Sequence, residues 1–276
     1  MGTVATNRWL VQYIEKYSDT LSQQEKLQLQ LDTMIAPLTR VFKSRDMVGL
    51  HRYLLESGLF YPDKNITEEL EIMKSSQLWR TVQNEYLTLK KAWCGPKAKI
   101  FLYPLEERNE LIMKELGGKM GLGFPDKIFL FVTGRLEESE LKALVTHEYH
   151  HVCRLQSLDM PHDKVTLLDS LIIEGLAEVA VQERMGYRCV ANWAKRYSEE
   201  EAKQIWYRFF INNKEIKGKE QHLPFLYGTD IIPPWGGYSV GFHIVNTAIK
   251  NDKELVTNEL LQLSAKEILS ISSFSS

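Results

Sequence analysis

The chain has 276 residues, 44% of them hydrophobic and 25% charged, with 34 basic against 36 acidic side chains and a net charge of −2. That mixture is ordinary for a globular protein and excludes a disordered, fibrous or collagen-like chain. The even charge balance gives no reason to expect nucleic acid or an anionic membrane as partner, and no apolar run reaches the ~18 residues of a membrane span.

Residues 1–92 read as helices. Arg8–Tyr17 carries Trp9, Leu10, Tyr13 and Ile14 on one side. Ser22–Lys43 continues the pattern with an interruption expected at Pro37, and Arg45–Ser57 ends at Gly58, a usual helix stop. Thr67–Lys74 and Ser76–Ala92 complete the set, and Gly95-Pro96 closes it. Lys99–Tyr103 and Lys127–Thr133 read as strands. The glycine-rich run Gly117–Pro125 between them lacks the Gly-Lys-Ser/Thr ending of a phosphate loop and reads as a hairpin or edge strand. After Gly134 nearly everything is helical again. The expected class is α+β, mostly α, with a helical region over 1–94, a second domain over 95–276, and a small sheet near its start.

Residues 1–16 lack the basic start and apolar core of a secretory leader. Cys94, Cys153 and Cys189 are odd in number and widely spaced, unlike a disulfide framework or a cysteine zinc site. Together these features predict a cytoplasmic protein.

Val145–Val152 contains the pattern His-Glu-x-x-His, formed by His147, Glu148 and His151. Leu141, Leu144, Val145, Val152 and Leu155 make an apolar stripe at helical spacing, so the motif lies on a helix. Two histidines four apart project from one face and can share one zinc ion. Glu148 sits on the flank, within reach of an attacking water and free of the ligand set. A third histidine of the extended motif would need glycine at 154 and histidine at 157, where the chain has Arg154 and Ser157. His150 and Cys153 point away from the pair.

A third ligand is expected downstream. Leu171–Val181 lies in a helix from about Val165 to Met185, stopped by Gly186, and is apolar all round except for Glu174 and Glu178. Such a helix is buried, and buried carboxylates are costly unless paired or metal-bound. Glu174 is therefore the expected third ligand. Glu178, on the same face, would support a ligand histidine, His147 above all. Gly175 suggests that the two helices approach closely there. The plain alternative is a buried salt-bridge pair, with Glu174 and Glu178 facing Arg154 or Lys142.

His147-Glu148-x-x-His151 followed by Glu174-Gly175-Leu176-Ala177-Glu178 resembles the gluzincin group of zinc metallopeptidases, in which a Glu ligand on a second helix follows the motif and an acidic residue stands four further on. More narrowly, Thr146–Arg154 with Leu168, Glu174–Glu178 and Gly237–Gly241 resembles a bacterial family of predicted zinc-dependent proteases. The resemblance covers roughly residues 95–250, and the stretch from His151 to Glu174 is a little longer than in well-studied gluzincins. It implies a zincin-like packing of the small sheet on the motif helix, one zinc per chain, and a peptide or protein substrate. It also implies a hydrogen-bond donor or acid from the C-terminal part. Pro233–His243, a loop leading into a helix expected to begin near Tyr238, offers Tyr238 and His243, with Tyr227 behind them. Trp235 reads as core or pocket wall, and His51, His162 and His222 as isolated polar groups. The rival reading is a non-catalytic helical interaction or regulatory protein with a structural or vestigial zinc site.

Overall fold

Helices form in the N-terminal third wherever apolar residues recur every three or four positions. In the computed structural model, which describes residues 2–158 and 164–275, these are α1 (Thr6–Lys16), α2 (Gln23–Gln30), α3 (Ala36–Phe42), α4 (Met47–Glu56), α5 (Thr67–Ser75) and α6 (Leu78–Ala92). Ser22 starts α2 with a reciprocal capping box to Glu25. The interruption expected at Pro37 falls one turn earlier. Leu31–Ile35 opens into a π-helical turn, and Pro37 occupies the first turn of α3. Proline has no N–H to give to the carbonyl four residues back, and its ring crowds that carbonyl; the widened turn makes room for it.

Three strands follow: β1 (Lys99–Pro104), then, after the short helix α7 (Glu110–Lys114), β2 (Lys119–Phe124) and β3 (Lys127–Val132). Their order is β1-β3-β2. β1 and β3 run parallel, Lys99 opposite Lys127 through Pro104 opposite Val132. Both are buried on both faces after their first residue, which is why each is an unbroken apolar run. Phe101 stacks on Phe129 at 4.7 Å between ring centres. The glycine-rich segment is β2, at the sheet edge.

The remainder is helical: α8 (Glu138–Leu158), α9 (Leu167–Met185), α10 (Glu199–Ile205), α11 (Lys219–Tyr227), α12 (Gly236–Asn251), α13 (Thr257–Leu260) and α14 (Ala265–Ile271). The class is α+β, mostly α. The described residues group into two compact units, one over 1–87, 97–123 and 127–145, the other over 88–96, 124–126 and 146–276. The strands thus share a unit with the N-terminal helices. No helix among the described residues is long and apolar enough to cross a membrane.

The second unit is built on α9 and α12. Leu171, Ile172, Leu176, Val240, Ile244 and Val245 from these helices share a core with Trp206 and Phe210. A capping box between Thr166 and Asp169 starts α9, and Gly186, at φ 85°, ends it. The two helices touch backbone to backbone. A Cβ on Gly175 would run into the Gly241 carbonyl oxygen, and one on Gly241 into that of Leu171. Gly175 therefore serves a close approach to α12; the expectation that it serves approach to the motif helix is corrected. The reason is Gly241, which matches Gly175 across the crossing. Gly241→Ala should destabilise this unit by about 3 kcal/mol or more, at the upper end of overpacking costs. For a chain of this size that is roughly 6–12 °C in Tm, read by calorimetry.

Candidate metal centre

The motif helix α8 is held by its apolar side: Leu141, Val145, Tyr149 and Val152 are fully buried. Tyr149 donates a hydrogen bond to the Pro96 carbonyl (2.8 Å) and stacks on Trp93. That anchorage leaves His147 and His151 on the adjoining face, their rings edge to face at 4.5 Å. From α9, Glu174 Oε2 comes to 3.4 Å from His147 Nε2 and 3.6 Å from His151 Nε2. One ligand atom from each of His147, His151 and Glu174 lies within 4.8 Å of the others. A tetrahedral zinc with bonds of ~2.0–2.1 Å has ligand-to-ligand edges of roughly 3.3–3.4 Å. Two imidazole nitrogens and a carboxylate oxygen at these separations fit that ion.

Glu178, one turn along α9, is buried and bridges two partners. Its Oε1 lies 2.9 Å from His147 Nδ1, in ion-pair rather than aligned hydrogen-bond geometry. Its Oε2 accepts the Ala191 N–H at 2.8 Å. A carboxylate behind a ligating imidazole sets its orientation and raises its basicity. Glu178→Ala should weaken zinc affinity about 10–100-fold; chelator competition measures it, and unchanged affinity would leave Glu178 a packing residue.

The electrostatics follow from burial and these contacts. Burial alone would discharge His147, but Glu174 and Glu178 outweigh it and hold the ring well above the usual imidazole range. Burial would likewise raise Glu174, but the charges and hydrogen bonds of His151 and His147 outweigh it and leave the carboxyl well below the usual range. Glu148 is pushed up, burial prevailing over the two histidines. Its Oε2 is buried and finds no hydrogen-bond partner among the described residues.

The salt-bridge alternative does not hold. Arg154 is fully buried but donates to the carbonyls of Leu260 (3.2 Å) and Leu261 (2.8 Å), and Lys142 pairs with Glu138 on its own helix. His150 lies edge-on to Trp93 at 5.5 Å, and burial keeps it far below the usual imidazole range. Burial pushes the Cys153 thiol up to about 12. His51 donates to Gln30 and His222 to the Ile216 carbonyl, both as structural groups; His162 lies outside the described residues.

The helix expected to begin near Tyr238 starts at Gly236, so Tyr238 belongs to the first turn of α12. Trp235 precedes it in the left-handed region, φ 60° and ψ 18°. The Tyr238 hydroxyl donates to the Tyr227 hydroxyl at 3.1 Å. Burial and then the charge of Glu174 raise Tyr238 well above the usual phenol range, and the charges of Glu174 and Glu148 also act on Tyr227. Both phenols therefore sit in the field of the centre's carboxylates. His243 lies further along α12, with Nε2 donating to the Tyr197 carbonyl at 2.8 Å. The sequence reading missed the aromatic group that Trp235 makes with Trp193, Tyr227 and Tyr238 at 5.2–5.8 Å. Its only signal was the Pro-Pro-Trp-Gly-Gly run.

Residues 78–270, which include every residue of this centre, match the model of a family described as predicted Zn-dependent protease (DUF2268). The chain belongs to this family. It is 38% identical over 223 residues to the uncharacterized protein YjaZ of Bacillus subtilis (strain 168), a match covering 79% of this chain and 84% of that protein. It is 28% identical over 289 residues to the uncharacterized protein YjfC of the same organism, covering 93% and 95%. No solved structure matches the chain.

Proposed function

We propose that the protein is a zinc-dependent peptidase, with His147, His151 and Glu174 holding one zinc per chain and Glu148 acting as general base. The observation that carries this reading is the buried, unpartnered Glu148 Oε2 beside a two-histidine, one-carboxylate donor set. Zinc in such a set supplies Lewis acidity toward a carbonyl oxygen and acidifies water. Glu148 takes the proton of the attacking water, and its burial helps it keep that proton until the leaving nitrogen accepts it. Glu178 keeps His147 oriented. A zinc site that is only structural leaves Glu148 without a use.

Tyr238 is the proposed donor to the developing oxyanion. Tyr238→Phe should lower turnover about 10²–10³-fold with zinc content unchanged, the usual loss for one such donor. His243, engaged with Tyr197, contributes by packing, so His243→Ala should do less. The free thiols of Cys94, Cys153 and Cys189 suit a reducing, cytoplasmic setting.

The test is metal analysis of the purified protein together with cleavage of a fluorogenic peptide library. Near-equimolar zinc, and cleavage lost to a chelator and restored by zinc, are expected. A protein that neither contains nor takes up zinc would overturn the reading.

A further inference from the structure

Resting on the peptidase reading, with Tyr238 as oxyanion donor, we infer that Tyr197 is a positioning residue for the reaction. Its hydroxyl latches the Pro234 carbonyl, and the latch fixes the Trp235 ring against which Tyr238 is set.

Trp235 is the strained point. It holds φ 60° and ψ 18°, a region that few residues other than glycine adopt. Such conformations persist only where the surroundings impose them, and they gather at functional sites. Relaxation to the helical φ of about −63° would turn the Pro234–Trp235 peptide by about 120°. That peptide is planar, so the Pro234 carbonyl would turn with it. Both polar ends of the peptide are held. The Tyr197 hydroxyl donates to the Pro234 carbonyl at 2.9 Å. The Trp235 N–H donates to the Tyr227 carbonyl at 3.0 Å. Behind the pair of prolines stands Gly228, where a Cβ would come within 2.7 Å of Pro234 Cα.

Tyr197 is itself anchored. Its carbonyl accepts the Nε2 proton of His243 at 2.8 Å, and its side chain packs on the core shared by α9 and α12. Ser198, the next residue, starts α10 with a capping box to Glu201. Trp193, from the same segment, lies 5.8 Å from the Trp235 ring.

Trp235 passes the constraint on. Its ring is buried, edge to face with Tyr238 at 5.4 Å and with Tyr227 at 5.2 Å, and the two phenols hydrogen-bond each other at 3.1 Å. A donor to a developing oxyanion is effective because it is already in place and need not reorganise. The Tyr197 hydroxyl gives its own proton to Pro234, so it acts on the reaction through Tyr238.

Tyr197→Phe removes the latch and one oxygen atom only. In the metal-free full chain, deuterium exchange of the Trp235 amide should quicken about 3–10-fold, the worth of one hydrogen bond. Exchange at Val245, within α12, should stay as in the parent. In the zinc-loaded full chain, kcat on a fluorogenic peptide cleaved by the parent should fall by a similar factor, with KM and zinc content unchanged. In the Tyr238→Phe background the same substitution should cost nothing further, whereas a residue that only supports the fold would lower both backgrounds alike. Parental exchange at Trp235, unchanged kcat, or equal losses in the two backgrounds would overturn the inference and leave the peptidase reading intact. A parent chain that cleaves no peptide, or a Tyr238→Phe variant as active as the parent, would overturn the inference together with the reading on which it rests.

Discussion

Glu148→Gln should keep the fold and the zinc and lose about 10²–10⁴ of the rate of peptide hydrolysis, the contribution of a well-placed general base. The amide has nearly the shape of the carboxyl, so the buried pocket that holds Glu148 is still filled. Burial is the largest influence on Glu148 and disfavours its charge, outweighing the attraction of His151 and His147, so a neutral amide there should leave the variant about as stable as the parent. What it lacks is an oxygen able to take a proton. Turnover on any cleaved peptide, measured beside zinc content, decides the matter; equal turnover in variant and parent would remove Glu148 from the role of base.

The second large effect is loss of the metal. His151→Ala leaves two of the three donors and should abolish stoichiometric zinc, a greater loss than the ~10–100-fold expected for a supporting residue such as Glu178. The metal should also carry a pH signature. In the metal-free chain His147 is held above its ordinary value by Glu174 and Glu178 against the effect of burial. A raised imidazole stabilises the folded chain fully below its unfolded pKa, and that contribution is lost as pH rises through the folded value. Zinc requires the neutral ring, so its uptake displaces this proton. The loaded protein therefore gains on the metal-free one as pH rises, and the Tm difference between them should be larger at about pH 8 than at about pH 6. A difference constant across that range would mean that no proton is displaced.

How much of this was legible before the structure depends on whether the signal is local. The spacing of His147 and His151 and the two lone carboxylates in an apolar helix are local patterns. Helical periodicity turns them into faces, and burial turns the faces into neighbours. The edge position of the glycine-rich strand was legible in the same way. Long-range matches were not. Nothing in the sequence around Gly175 says that its counterpart is Gly241, because the pairing exists only once α9 and α12 cross. The parallel pairing of β1 with β3 is equally silent in two similar apolar runs. The aromatic group around Trp235 depends on a left-handed backbone at that residue, and a sequence window cannot show backbone conformation. The interruption expected at Pro37 lies a turn earlier, as the π-helical turn Leu31–Ile35, for a related reason: proline disturbs the carbonyl behind it, so its mark on the helix lies upstream of the residue itself.

The two oxygens of Glu178 face different partners, the His147 imidazole on one side and the Ala191 amide on the other. This ties a slow backbone observable to the state of the centre. The amide proton of Ala191 cannot exchange with solvent deuterium until that hydrogen bond opens, and opening it frees the carboxylate to leave His147. A zinc held by His147, as proposed, would restrain the imidazole and, through it, the carboxylate. Ala191 is thereby a natural isotope-exchange reporter of occupancy, well away in sequence from every ligand, able to register filling of the centre in a protein for which no substrate need be in hand.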